Sequence, residues 1–120
     1  MVDLHGVIIP PNYHKTNDLV FIHKYTQQCL QYLSEQEDVK LILWSSSYKN
    51  EIEKINKWLK SNKIYFDYIN ENPDEKNTKY ADFSKKPYFS LVLEDKGGFV
   101  ENDWDGINTW IAMREIEKLR

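Results

Sequence analysis

The side chains best suited to chemistry sit beside short apolar runs. The first is Asp3 in Val2-Asp3-Leu4-His5-Gly6-Val7-Ile8, an acid at the end of an apolar stretch with a glycine three positions on. In open α/β sheets ligands collect at the carboxyl ends of strands, where loops converge over a rigid sheet. A carboxylate in that place can bind a divalent metal, attack an electrophile or cap the next element. Farther along come the hydroxyls of Ser45-Ser46-Ser47, then Lys86, then the acidic pair Glu94-Asp95 ahead of Gly97-Gly98. His14 and Lys15 fall in a polar loop after Pro10-Pro11 and are weighed as substrate contacts against a plain solvated loop.

Such residues need elements to hold them. Only Met1 and Val2 precede Asp3, whereas a paired strand usually takes about five residues. Either the strand begins upstream or it continues through Val7-Ile8-Ile9. From Asn17 or Asp18, the residues Leu19, Ile22, Thr26, Cys29, Leu30 and Leu33 recur with helical spacing to about Glu37. On that helix His23 reads as a boundary residue and Cys29 as core.

Val39 to Trp44 has the pattern of a buried strand and ends in the serines. The helix expected from about Tyr48 to Ser61 turns Ile52, Ile55, Trp58 and Leu59 to one face. Its first N–H groups and its dipole, beside the serines, favour an anion. Ile64 to Ile69 reads as a third strand, followed by a polar segment in which Pro73 blocks a continuous helix. Phe89 to Leu93 reads as a fourth. Asp103 or Asp105 caps a last helix whose apolar stripe is Ile107, Trp110, Ile111, Ile116 and Leu119. This alternation predicts an α/β fold: a short parallel sheet of about four strands, right-handed crossovers and helices on both faces.

The 120 residues suit one domain, 1–120, able to bury a core without disulfides. A net charge of −3 argues against a broad polyanion-binding face. Cys29 is the only cysteine, which excludes an internal disulfide and a thiolate-rich zinc site. No apolar run is long enough to span a bilayer, and the first residues lack a signal-peptide pattern, so a cytoplasmic protein without a membrane role is expected.

In their order along the chain, these residues resemble the four motifs of the haloacid dehalogenase (HAD) superfamily. Asp3-Leu4-His5-Gly6-Val7 is similar to the first, Asp-x-Asp-Gly-Thr/Val. Leu41-Ile42-Leu43-Trp44-Ser45 resembles the second, and Lys86 with Glu94-Asp95 resembles the third and fourth. The segment Phe66-Asp67-Tyr68-Ile69-Asn70-Glu71-Asn72, the spacing from Lys86 to Glu94, and the Gly97-Gly98-Phe99 and Trp104 that follow resemble a small capless branch of bacterial and phage type. No gap is long enough for a folded cap domain.

The resemblance implies a HAD-like Rossmannoid fold and a Mg²⁺-dependent phosphatase. Asp3 would be the nucleophile and form an aspartyl-phosphate. Ser45, Ser46 and Lys86 would hold the phosphoryl group, and Asp3, the His5 carbonyl, Glu94 and Asp95 would hold Mg²⁺. Two positions depart from the pattern. His5 stands where most of these phosphatases carry a second aspartate as general acid and base, and Glu94 stands where the acidic pair usually begins with Asp. Histidine can move protons near neutral pH, a role typically worth about 10² to 10⁴ in rate.

The expected substrate is a small phosphate ester or a nucleic acid end, and the expected state a monomer or weak homodimer. Two alternatives stay open. One is a HAD-like module that binds a phosphorylated ligand or a protein without turnover. The other is a metal-dependent nuclease, suggested by Pro73-Asp74 and Glu94-Asp95-Lys96.

Overall fold

In the computed structural model the described residues are 1–11, 19–73, 76, 78–80 and 89–119. Among them the chain is an α/β protein with three α-helices and a two-stranded parallel sheet. Helix α1 is Thr26–Glu35, strand β1 Ile42–Leu43, helix α2 Lys49–Ser61, strand β2 Tyr68–Ile69 and helix α3 Asp103–Lys118. A 3-10 turn, Asp95–Gly97, precedes α3. No described helix is long and apolar enough to cross a membrane.

The sheet pairs Ile42 with Tyr68 and Leu43 with Ile69. Two of the four expected strands thus form β1 and β2, shorter than the apolar runs that encode them. The other two contribute single parallel bridges, Val2 to Leu43 and Val2 to Leu93. Backbone bonds extend the pairing on both sides of the first residues: Val2 N–H donates to Ile42 O, Trp44 N–H to Val2 O, Asp3 N–H to Leu93 O and Leu93 N–H to Met1 O, all at 2.8–2.9 Å. Neighbours therefore run in the order Leu93, Val2, Leu43, Ile69.

Strand pairing does not continue through Val7-Ile8-Ile9. The Leu4 carbonyl accepts the N–H groups of Val7, Ile8 and Ile9, and Gly6 N–H donates to Ile9 O, so residues 4–9 close a tight turn. Leu4, Val7, Ile8 and Ile9 are all buried beneath it. An apolar run that looked like a strand is a buried turn because one carbonyl collects its backbone donors.

Helix α2 follows its sequence pattern to within one residue. Ile52, Ile55 and Leu59 are buried along one side, each worth about 1.5–3 kcal/mol by its removal from water. Helix α1 begins at Thr26, later than the periodicity of Leu19 and Ile22 suggests. Those two pack on the core from a non-helical segment, where Ile22 N–H donates to Ile8 O. All three helices share one core cluster with Val2, Leu41, Leu43 and Leu93. α1 bridges its neighbours: Gln27 and Gln31 bond Asn62 at the end of α2, and Gln28 bonds Asn108 of α3. Ile42 points to the other side of the pleat and is buried outside that cluster.

Candidate functional site

Asp3 leaves the sheet between two neighbours. Its N–H is fixed by Leu93 O, and its Oδ1 accepts the Leu4 N–H at 2.8 Å. Because Leu93 is held beside it, the next residues of that segment, Glu94 and Asp95, arrive next to Asp3. The three carboxylates are half-buried, and one oxygen of each lies within 4.8 Å of the others. Burial raises the Asp3 pKa above its ordinary value, opposed by the Leu4 hydrogen bond, while Asp95 and Glu94 raise it further and His5 lowers it. Acids 91 positions apart in sequence thus meet as the strand-end reading expects.

Gly6 is part of the geometry. Its φ is +81°, and a Cβ built there would lie 2.9 Å from Asp95 Cγ and 3.2 Å from Asp95 Cβ. The Asp95 side chain occupies the space that any larger residue would fill. The turn is anchored from behind by Trp104, which is fully buried and donates its Nε1–H to the Val7 carbonyl at 2.8 Å. Phe99 packs edge-on against the same indole, with ring centroids 5.6 Å apart.

Asp3 and Glu94 form one wall of a cleft of about 540 Å³, shared with Ser45, Ser46, Asn70 and Lys96. Ser45 and Ser46 are therefore brought to Asp3. Ser45 is placed by two bonds: its N–H donates to Asn70 Oδ1 at 2.7 Å, and its Oγ accepts the Ser47 N–H at 3.1 Å. Asn70 adopts φ +56°, a conformation that asparagine tolerates better than most residues, and its own N–H is tied to Leu43 O.

His5 is held on the α2 side of the turn. Its Nδ1 lies 3.5 Å from Ser47 Oγ and its Nε2 pairs with Glu51 at 3.1 Å. The ring is not among the groups lining the cleft. Lys86, His14, Lys15 and Asp74 lie outside the described residues. His23 accepts the Tyr25 N–H at Nδ1, and Cys29 is buried core, as their sequence context suggests.

Three contributors were not legible as functional. Asn70 reads as an ordinary loop residue; the one local signal is its type, since asparagine tolerates the left-handed conformation it adopts. Lys96 directly follows the acids and lines the cleft, whereas the phosphatase motif spacing directs attention to Lys86 and the sequence offers Lys96 only for the nuclease alternative. Glu51 looks like a solvent-facing helix residue and in fact reaches His5. No family model, curated protein or solved structure matches the chain.

Proposed function

We propose that the chain is a HAD-type phosphoric monoester hydrolase, with the Asp3 carboxylate as nucleophile. The observation that carries this reading is the meeting of Asp3, Glu94, Asp95 and Ser45 at one end of the parallel sheet, in the chain order the HAD motifs prescribe. The rest of the expected fold, a four-stranded Rossmannoid sheet without a cap, belongs to the same proposal.

The donor set fits Mg²⁺. All three groups are hard oxygen donors, and a divalent cation would offset both the burial that raises the Asp3 pKa and the repulsion from Asp95 and Glu94 that raises it further. Asp3, the His5 main-chain carbonyl and Glu94 or Asp95 would hold it. Bound there, it would neutralise charge between the ester phosphate and the nucleophile.

Asp3 attacks phosphorus in line and the P–O bond to the alcohol breaks, leaving an aspartyl-phosphate. His5 gives its proton to the departing alkoxide oxygen. It then takes a proton from the water that attacks the acyl phosphate, releasing inorganic phosphate and restoring the carboxylate. Ser45 and the Lys96 ammonium stabilise the equatorial oxygens. Glu51 and Ser47 hold the imidazole, and for proton transfer the ring turns from them toward the cleft.

That last requirement favours a second reading, in which His5 is a structural member of the Ser47–Glu51 group and the site binds a phosphorylated ligand without turnover. The two separate in one experiment, the release of phosphate from p-nitrophenyl phosphate with and without Mg²⁺. The hydrolase reading expects Mg²⁺-dependent release that Asp3→Asn abolishes. Beryllofluoride binding without turnover, with activity gained by His5→Asp, selects the binding module. If Asp3→Asn turns over normally, the nucleophile is misassigned.

A further inference from the structure

The apolar stripe of α3 divides in the structure. Ile107 and Ile111 pack on the core, while Trp110 and Met113 stand 47% and 58% exposed. Beside them runs Phe89 to Leu93, the outermost extended segment among the described residues, whose inner edge is occupied. Leu91 O accepts from the Met1 amino group, Leu93 N–H donates to Met1 O, and Leu93 O accepts from Asp3. Backbone groups of an extended segment alternate in direction, so those of Ser90 and Val92 face the open side. Neither has a backbone partner among the described residues. Phe89, Leu91 and Val92 are 42%, 57% and 38% exposed. Phe89, Leu91, Ile107 and Trp110 line one shared cavity of about 330 Å³, so strand edge and helix flank form one continuous surface.

Open sheet edges normally carry a lysine, a proline or another charge that discourages pairing. Phe89-Ser90-Leu91-Val92-Leu93 has none. The opposite edge differs: β2 is preceded by Asp67, and the Lys40 ammonium lies over the Tyr68 ring.

We propose that this face docks a second copy of the chain. The two 89–93 segments pair antiparallel about a twofold axis, with Trp110 and Met113 of each copy packed across it. An antiparallel pair is its own twofold mate, so the contact closes at two copies. An uncharged segment meets itself without like-charge repulsion. Phe89, Leu91, Trp110 and Met113 present roughly 400 Å² of apolar surface, close to the apolar share of a standard half-interface of about 800 Å². The docked segment leads directly into Glu94 and Asp95, so the pairing steadies the strand that delivers both acids to Asp3. The proposal does not depend on what the site does.

Sedimentation equilibrium on the full chain at high micromolar concentration tests it. The wild type is expected at twice 14.4 kDa. Leu91→Lys, at the residue the twofold axis sets opposite its own copy, brings like charges together at the edge and should weaken association by at least about tenfold. Trp110→Lys does the same from the helix, so that a folding failure of one variant leaves the other to decide. Tyr65→Lys, a change at an exposed residue leading into the far edge, should leave the dimer intact, with circular dichroism confirming the fold of each variant. A wild-type monomer assigns the face to another partner and overturns the proposal. So does an open series of larger oligomers, a dimer indifferent to both docking-face changes, or equal dissociation by Tyr65→Lys.

Discussion

Replacing Gly6 with alanine separates two costs that the structure places at one residue. The first is conformational: φ is +81°, and an L-residue in the left-handed region costs about 1–2 kcal/mol. The second is steric. The Asp95 carboxylate could swing aside, but Asp95 Cβ, 3.2 Å from the added methyl, moves only with the backbone of the 3-10 turn. Overpacking of this kind adds about 1–3 kcal/mol, so Gly6→Ala should lose roughly 2–5 kcal/mol in all. Gly98 supplies the control. Its φ is +107° and nothing lies within 4 Å of a Cβ built there, so Gly98→Ala carries the conformational cost alone.

Thermal melts of both variants, without added metal, give the comparison. Each kcal/mol lowers Tm by roughly 3–6 °C in a domain of this size, so Gly98→Ala should fall by about 5 °C and Gly6→Ala by clearly more. Asp95→Gly, which removes that Cβ, in the Gly6→Ala background should recover the steric part, a coupling of about 1 kcal/mol or more in a double-mutant cycle. Equal losses for the two glycines, with no coupling to Asp95, would refute the packing of Asp95 over Gly6 and the three-acid cluster with it.

Other consequences follow from single contacts. The raised Asp3 pKa means that folding is opposed while Asp3 is ionised in both states, and the penalty disappears as pH falls through the folded pKa to below the ordinary value of 3.8. Asp3→Asn should therefore raise Tm at pH 7, with the gain shrinking toward pH 4; a constant gain would show that the cost of ionising Asp3, through burial first and the neighbouring acids second, is not its source. Trp104→Phe leaves the Val7 carbonyl unpaired in the core and should cost about 1–3 kcal/mol in urea unfolding, beyond the lost ring volume. Burial pushes the Cys29 thiol up to about 11, so iodoacetamide at pH 8 should label it slowly in the folded chain and readily in denaturant.

Where one local rule decides the structure, the sequence is legible. Helix α2 matches its periodicity because three apolar residues on one side have a sheet to cover and charged residues fill the other. The serines at the end of Val39 to Trp44 and the acids after Leu93 are legible on the same ground, that an apolar run ends where its sheet ends. Reading fails where a long-range partner decides. Leu19 and Ile22 keep helical spacing, but Ile22 gives its N–H to Ile8 and leaves the helix to start at Thr26. The α3 stripe is real as a pattern, yet α1 covers only part of it, so Trp110, Ile116 and Leu119 stay exposed. The role of Asn70 depends on a bond to Ser45, 25 residues back, which no local pattern announces.

The candidate site is a property of register. Val2 is bridged to both Leu43 and Leu93, and Leu43 is paired with Ile69. Asp3, Trp44, Asn70 and Glu94 are each the next residue, so four chain segments leave the sheet at one level and turn their following side chains over the same point. A slip of one residue in the Val2–Leu93 pairing would send Asp3 and Glu94 to opposite faces of the pleat, because side chains alternate with period two. That register is fixed from outside the strands, by the tight turn that buries Leu4 and Ile8 and by the Trp104 indole that ties Val7 in place. The acids can tolerate the burial and the mutual repulsion that together raise the Asp3 pKa because their positions are set by apolar burial and backbone bonding rather than by their own interactions.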